Sequence, residues 1–168
     1  MEKVYVVYWS QTGNTETMAN MLKSGVEAAG ATAELLEASN ADADTLAQAS
    51  GFAIGCPAMG AEELEDSVVE PLVEALESKV AGKNLVLFGS YDWGDGEWMR
   101  TWVDRMKAAG ANIVGGEGII ANNEPDAEAE KELAEINGAL PPETDADLAI
   151  YHSKQEQKEE KEEAEDNV

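Results

Sequence analysis

Residues 10–15 are the first segment whose side chains could bind a ligand, and they lie between an apolar run and a helical pattern. The segment offers three hydroxyls, an amide and a flexible backbone position, from Ser10, Thr12, Thr15, Asn14 and Gly13. Backbone N–H groups at a helix N-terminus bind anions, and small hydroxylated residues let a phosphate approach closely. Because the loop holds no lysine or arginine, it favours a phosphate monoester on a permanently bound group over a triphosphate. Ordinary capping of the helix by serine or threonine is the simpler alternative.

Two further loops, residues 57–62 and 90–96, each combine a large side chain with residues that permit tight turns. Met59 in the first and Trp93 in the second could sandwich a flat ring through sulfur contacts and stacking. Glu62 could accept a hydrogen bond from a ring N–H. For either loop alone, packing of the large side chain on the core is the alternative. Together, the three loops predict a mononucleotide ligand with a planar heterocycle.

The elements that must position these loops alternate regularly along the chain. Strands are predicted at residues 4–9, 32–36, 52–57 and 85–89, with a fifth formed by 113–114 together with 119–120. Helices are predicted at 15–29, 42–49, 63–77, 97–109 and 126–137, where apolar residues recur at helical spacing. This alternation predicts an α/β fold with a parallel sheet covered by helices on both faces. Ligands of such sheets bind beyond the carboxyl ends of the strands, where the three loops would lie.

Charge and composition exclude several classes of function. The 168 residues include 35 acids and 11 bases, a net charge of −24, which repels nucleic acid and attracts partners with basic faces. No apolar run approaches the roughly 20 residues of a membrane span. The single cysteine, Cys56, is interpreted as a small core residue and not a redox thiol, and no metal site is predicted. The single histidine, His152, lies near the C-terminus, so a serine–histidine or cysteine–histidine catalytic pair is not expected. We expect a cytoplasmic protein that contacts neither nucleic acid nor membrane.

The chain is expected to divide into two parts. Residues 1–139 carry the strand and helix patterns and form the ligand-binding domain. After them, Pro141 and Pro142 interrupt the pattern, and residues 155–168 are nearly all Glu, Lys, Gln and Asp, with no apolar face to bury. Residues 140–168 are therefore predicted to be an appended acidic tail without fixed structure.

Four motifs fall in order at the predicted loops and at the start of the last helix. They are Tyr8-Trp9-Ser10-x-Thr12-Gly13-Asn14-Thr15-Glu16, Gly55-Cys56-Pro57-Ala58-Met59-Gly60 with Glu62-Glu63-Leu64-Glu65, Phe88-Gly89-Ser90-Tyr91-x-Trp93-Gly94, and Asn123-Glu124-Pro125-Asp126. Through these motifs residues 4–137 resemble the flavodoxins, specifically the short-chain group, whose fifth strand is not interrupted by a long loop. The resemblance implies a doubly wound five-stranded parallel sheet, of strand order 2-1-3-4-5, with helices on both faces.

The resemblance also implies noncovalently bound FMN and assigns its binding residues by position. The phosphate would be held by the first loop through Ser10, Thr12, Gly13, Asn14 and Thr15, with Ser90 closing over it. Gln11 would contribute its backbone, and Trp9, which precedes the loop, is also expected to bind FMN. Met59 and Trp93 would cover the two faces of the isoalloxazine ring, Glu62 would bind its N3–H, and the Gly60 carbonyl would lie near N5. Backbone groups of Tyr91 and Asp92 would approach the pyrimidine end. The remaining members of the expected site are Pro57, Ala58, Ala61 and Gly94.

The function that the resemblance implies is low-potential one-electron transfer between redox enzymes, without turnover of a substrate. FMN would pass between oxidised, neutral semiquinone and anionic hydroquinone states, and the net charge of −24 would disfavour the anion. The expected partners are redox enzymes with basic docking surfaces that otherwise use ferredoxin, and the protein is expected to be a monomer. An FMN-dependent NAD(P)H oxidoreductase is the alternative, although Met59 and Trp93 would block the ring faces that its substrate needs. A phosphoacceptor receiver domain is excluded, because no acidic cluster follows strands one and three.

Three residues depart from the family pattern. Gln11 replaces a usual glycine, so its contact with a phosphate would be through the backbone, and Asp92 also stands where glycine is usual. Ala61 occupies the second central position of an expected four-residue turn, Met59-Gly60-Ala61-Glu62. Alanine disfavours the positive φ that a type II turn needs there, whereas Gly60 makes the type II′ form accessible. The sequence therefore predicts the turn that directs the Gly60 carbonyl at N5 and stabilises the semiquinone.

Overall fold

Parallel strands and helices alternate along residues 3–135, the part of the chain that the computed structural model describes. The strands are β1 (Lys3–Tyr8), β2 (Thr32–Glu37), β3 (Gly51–Gly55), β4 (Asn84–Tyr91), β5 (Asn112–Ile113) and β6 (Ile119–Asn122). The helices are α1 (Asn14–Ala28), α2 (Ala43–Ala47), α3 (Val69–Leu76), α4 (Glu97–Ala108) and α5 (Ala127–Glu135). The predicted order of elements is confirmed. The proposed tail, residues 140–168, lies outside the described residues.

The strands form one parallel sheet in the order β2-β1-β3-β4-β5, with β6 also paired to β4. β5 pairs with the start of β4 through Ile113 and Leu85, and β6 pairs with its end through Ile119 and Phe88. These two segments therefore occupy one position in the sheet, and the predicted order 2-1-3-4-5 is confirmed. The reversal of order between β1 and β3 opens the crevice in which such sheets bind ligands.

Two apolar cores, one on each face of the sheet, hold the helices in place. Because side chains alternate along a strand, Val86 and Phe88 of β4 face the core beneath α1 and α5, whereas Leu85 and Leu87 face the other core. All four side chains are at most 1% exposed. Strands buried on both faces have continuous apolar sequences, which is the pattern that identified them.

Helix α3 begins at Val69, six residues later than the sequence pattern predicts. The carboxylate of Glu65 accepts hydrogen bonds from the backbone N–H groups of Ser67, Val68 and Val69, at 2.7, 2.8 and 2.9 Å. These donors are satisfied by a side chain instead of by a preceding helical turn, so the helix starts only after them. The prediction of a helix from Glu63 was therefore wrong, and residues 63–68 instead extend the loop that follows β3.

Candidate functional site

A cavity of about 270 Å³ opens at the carboxyl ends of β1, β3 and β4, in the crevice that the strand order creates. All three predicted loops contribute to its wall. The lining residues are Gln11, Thr12, Asn14, Thr15, Pro57, Ala58, Met59, Gly60, Glu62, Ser90, Tyr91, Asp92, Trp93 and Asn123. Thirteen of these fourteen belong to the site expected from the sequence.

The first loop places neutral hydrogen-bond donors at the start of α1. Gly13 caps the helix in the left-handed region, with φ +97°, and an added Cβ there would meet no neighbouring atom, so the glycine serves backbone conformation and not packing. The Ser10 hydroxyl accepts hydrogen bonds from the N–H groups of Gly13 at 3.1 Å and Glu16 at 3.3 Å, which closes the loop. Within residues 3–135 the N–H groups of Asn14 and Thr15 have no hydrogen-bond partner. They therefore remain available to an anion.

The hydroxyls of Thr15 and Ser90 join the first and third loops. The two oxygens lie 3.1 Å apart, and the backbone N–H of Ser90 donates to Thr15 Oγ1 at 3.3 Å. Thr15 is 1% and Ser90 4% exposed, so this contact is inside the protein and bordered by the cavity. Because one hydroxyl of the pair donates to the other, the second retains its proton for a ligand.

The second loop is a tight hairpin, one residue longer than the expected four-residue turn. Met59 and Glu63 exchange backbone hydrogen bonds of 2.8 and 2.9 Å, and three residues lie between them. Positive φ values fall on Gly60, +50°, and on Glu62, +60°. A left-handed third residue is typical of three-residue hairpins. The expectation that Ala61 avoids positive φ agrees with the structure, and the residue in the disfavoured conformation is Glu62.

The carboxylate of Glu62, in the cavity wall, has only one of its two oxygens hydrogen-bonded within the described residues. Its Oε2 accepts a hydrogen bond from the backbone N–H of Trp98 at 2.9 Å, at the start of α4. Its Oε1 is buried and has no partner among the described residues. A Cβ added to Gly94 would lie 1.6 Å from Oε1, so the third loop closes over this oxygen and requires glycine there. A buried acceptor without a donor costs about 1–3 kcal/mol, which favours a ligand N–H at this point.

The third loop is held by the end of the sheet beside it. Backbone N–H of Asn123 donates to the Tyr91 carbonyl at 2.7 Å, and the Asn122 side chain donates to the Asp92 carbonyl at 3.2 Å. Trp93, between these anchors and α4, is 63% exposed although it lines the cavity. An exposed indole at a cavity rim is a stacking surface that the protein itself leaves uncovered.

Five expected residues do not line the cavity. Ser10 and Gly13 are joined by a hydrogen bond within the first loop, and Gly13 caps α1. Trp9 and Ser10 border a separate cleft that residues 37–39 also line. Ala61 is the exposed middle residue of the hairpin, and Gly94 faces Glu62. Conversely, Asn123 lines the cavity and was not among the expected site residues, although the motif that begins with it was noted at the start of the last helix.

Cys56, at the end of β3, is not placed to react. It is fully buried, and this burial, together with the charges of Glu65 and Glu70, raises the pKa of its thiol to about 12 in spite of one hydrogen bond from the Glu65 backbone that lowers it. A thiol with that pKa is protonated at neutral pH and is a poor nucleophile. Among residues 3–135 no group of three or more His, Cys, Asp or Glu side chains could hold a metal ion. Within the same residues no helix is both long and apolar enough to cross a membrane.

A parallel sheet of order 2-1-3-4-5 with a ligand cavity at its strand ends defines the flavodoxin-like class of α/β proteins. The family model for flavodoxin matches residues 6–138, and the chain belongs to the flavodoxin family.

Known proteins agree with this assignment. The chain is 50% identical over 133 residues to the flavodoxin of Megasphaera elsdenii, which covers 79% of this chain and 96% of the relative. It is 43% identical over 131 residues to the flavodoxin of Clostridium beijerinckii, covering 78% and 94%. The solution structure of two-electron reduced Megasphaera elsdenii flavodoxin superimposes with a TM-score of 0.74 at 48% identity, covering 80% of this chain and 97% of that one. Flavodoxins bind FMN and carry electrons between redox partners; they are not enzymes.

The residues present fit FMN on three observations. The phosphate end would meet uncharged N–H and hydroxyl donors at the start of α1, which suit a dianion held without a metal. The ring would lie between Met59 and the exposed Trp93. The unpartnered Oε1 of Glu62 offers an acceptor for the one ring N–H that oxidised isoalloxazine carries.

Proposed function

We propose that FMN binds in this cavity and that the chain passes single electrons through it at low potential. The observation that carries the proposal is the buried Oε1 of Glu62, which has no partner in the described part of the chain. Glu62 lies in the wall of a cavity whose other end is lined by neutral anion donors. A carboxylate suits a ring N–H, and the start of α1 suits a phosphate, so the two ends of the cavity match the two ends of a flavin mononucleotide.

The hairpin between Met59 and Glu63 supports the proposed redox states. Gly60 has positive φ and Ala61 does not, as in a type II′ turn, although the hairpin closes at Glu63 and is one residue longer than the turn expected from the sequence. In that conformation the Gly60 carbonyl would accept a hydrogen bond from N5 only when N5 is protonated, which favours the neutral semiquinone over the oxidised state. The net charge of −24 would disfavour the anionic hydroquinone and lower the potential of the second couple, with salt screening the distant carboxylates.

The same charge supports a proposal about partners. An acidic carrier associates fastest with redox enzymes that present basic docking surfaces, because opposite potentials steer the encounter. We therefore propose a cytoplasmic monomer that serves such enzymes, including those that otherwise use ferredoxin. Residues 1–139 would suffice for FMN binding, and residues 140–168 would add charge to a domain that is complete without them.

Stepwise anaerobic reduction of the FMN-reconstituted protein, followed by visible absorbance, tests the proposal. A broad long-wavelength band that rises and then falls is expected, since it reports a stabilised neutral semiquinone. Direct bleaching without that band would contradict one-electron carriage. Rapid NAD(P)H oxidation by the protein alone would instead support the alternative, an FMN-dependent oxidoreductase.

A further inference from the structure

Trp98, in the first turn of α4, lies beneath two of the three ligand loops and contacts both. Its side chain is 1% exposed, and its ring lies 5.7 Å from that of Tyr91 at the end of β4. Its indole N–H donates to the backbone carbonyl of Cys56 at 3.1 Å. Neither the expected site nor the cavity wall includes this tryptophan.

The carbonyl of Cys56 lies directly after β3, at the start of the loop that carries Met59. The chain on both sides of this carbonyl is held by backbone hydrogen bonds. The Cys56 N–H donates to the Phe88 carbonyl and the Ala58 N–H to the Ser90 carbonyl, both at 3.0 Å. Between these bonds Pro57 has no N–H to donate. Trp98 Nε1 donates to the carbonyl between these two bonds and so adds a third restraint, on the peptide between Cys56 and Pro57.

The Cys56 carbonyl is closely packed in its present orientation. A Cβ added to Gly89 would lie 2.1 Å from the Cys56 oxygen and 3.2 Å from the Trp98 ring, so β4 passes directly beside both. If the indole donor is lost, the buried carbonyl is left unsatisfied, and the loop gains free energy by turning that peptide towards solvent. The hairpin from Met59 to Glu63 would move with it.

We propose that Trp98 is a positioning residue for the flavin site, which acts by holding the Cys56 carbonyl and so keeps the Met59–Glu63 hairpin ordered before FMN binds. The proposal rests on the proposed binding of FMN in the cavity. A ligand that meets a loop already in its bound conformation does not have to order it, whereas a loop that populates other conformations weakens binding by the competent fraction.

Trp102 provides a matched control on the same helix. It lies one turn beyond Trp98, is also 1% exposed, and its Nε1 has no hydrogen-bond partner among the described residues. Replacing either tryptophan by phenylalanine removes a similar volume from the same apolar core. Only Trp98→Phe also removes a hydrogen bond to the ligand loop.

The experiment compares Trp98→Phe with Trp102→Phe in three measurements. Hydrogen exchange of the Ala58 amide is measured on the apoprotein, FMN dissociation constants on the holoprotein, and the fraction of one-electron-reduced protein during stepwise reduction. Relative to Trp102→Phe, we expect Trp98→Phe to exchange Ala58 at least tenfold faster and to bind FMN about five- to tenfold more weakly. The one-electron-reduced fraction should also fall, because the hairpin carries Gly60.

Two results would overturn the inference: equal FMN affinity in the two variants, or an Ala58 amide that stays equally protected in both apoproteins. If Trp98→Phe does not fold, benzothienylalanine at position 98 keeps the ring shape and replaces the N–H by sulfur, and the same comparison with position 102 applies. Failure of the unaltered protein to bind FMN would contradict the proposed function instead, while the exchange of Ala58 in the apoprotein still decides the role of Trp98.

Discussion

Substitution of Glu62 by glutamine tests whether one carboxylate oxygen binds the ligand while the other stabilises the fold. The two carboxylate oxygens have different surroundings: Oε2 accepts from the Trp98 N–H at 2.9 Å, whereas Oε1 is buried and has no partner within residues 3–135. Glutamine keeps the shape of the side chain but replaces one acceptor by a donor. Since the Trp98 N–H needs an acceptor, the amide oxygen of Glu62→Gln should take the Oε2 position and its NH₂ group the Oε1 position.

The expected effect then falls mainly on the holoprotein. Without FMN, an unpartnered acceptor is exchanged for an unpartnered donor and the bond to Trp98 is kept, so the free energy of unfolding should change by less than about 1 kcal/mol. With FMN, the ring N–H would face an NH₂ group. Loss of a hydrogen bond to a charged acceptor costs about 1.5–3 kcal/mol, which weakens FMN binding by roughly 10- to 150-fold. The NH₂ group could not move away from the ring N–H, because the loop at Gly94 packs against this position: a Cβ on Gly94 would lie 1.6 Å from Oε1.

Fluorescence titration of FMN into the apoprotein measures this loss, and urea denaturation of the apoprotein measures the stability. Glu63→Gln is the matched control, because it removes the same charge from an adjacent, exposed residue that meets Met59 only through its backbone. We expect Glu63→Gln to bind FMN within about twofold of the unaltered protein. Equal affinities of Glu62→Gln and Glu63→Gln would refute the assignment of Oε1 to the ring.

Four further changes test other parts of the structure. Gly94→Ala should abolish tight FMN binding while the apoprotein stays folded, because the added Cβ, at φ +93°, would displace the Glu62 carboxylate; FMN titration and circular dichroism measure the two effects. Glu65→Gln should lower the free energy of unfolding at pH 7 by about 2–4 kcal/mol, since an amide would face N–H donors that the carboxylate now accepts. Burial raises the pKa of Glu65, but the hydrogen bonds from Ser67, Val69 and Val68 outweigh this effect and hold the pKa below its usual value of 4.5. The difference in free energy of unfolding between Glu65→Gln and the unaltered protein, measured by urea denaturation, should therefore shrink as the pH falls below 4.5. The Cys56 thiol, with a pKa of about 12, should react with an aromatic disulfide at pH 8 only after unfolding, so rapid labelling of the native protein would be inconsistent with its burial. Removal of residues 140–168, which hold ten acids and three lysines, should leave FMN affinity within about twofold but slow association with a basic partner at low salt, as stopped-flow measurements would report.

The loops of the site could be predicted because their information is local. Apolar runs mark the strand ends, and in a parallel sheet the ligand lies where such strands stop. Small hydroxylated residues before a helix, such as Thr12 and Thr15, indicate an anion site without reference to distant parts of the chain. The position of Met59 and Trp93 in neighbouring loops follows from the order of the strands alone.

The features that the sequence did not predict depend on contacts between distant segments. The late start of α3 results from the Glu65 carboxylate, whose choice of N–H donors is not visible in the spacing of apolar residues. Asn123 lines the cavity because β6 pairs with the end of β4, and its sequence neighbours indicate only the start of a helix. The left-handed conformation of Glu62 is imposed by closure of the hairpin and by the Trp98 N–H, 36 positions away in the chain.

The proposed phosphate site contains no cation although the protein has a net charge of −24. The two are compatible because hydrogen bonds act at contact, whereas the repulsion between exposed charges is screened with distance. The cavity lining carries no lysine or arginine, and its carboxylates, Glu62 and Asp92, lie on the second and third loops and not on the phosphate loop. At physiological ionic strength exposed charges are screened beyond roughly 8 Å, whereas each N–H bond to a charged acceptor contributes about 1.5–3 kcal/mol at contact. A few such bonds at the start of α1 would therefore outweigh the repulsion that a distant acidic surface exerts on a bound phosphate. The acidic surface can therefore select basic partners, because the contacts proposed for the phosphate act over a shorter distance than the surface charge.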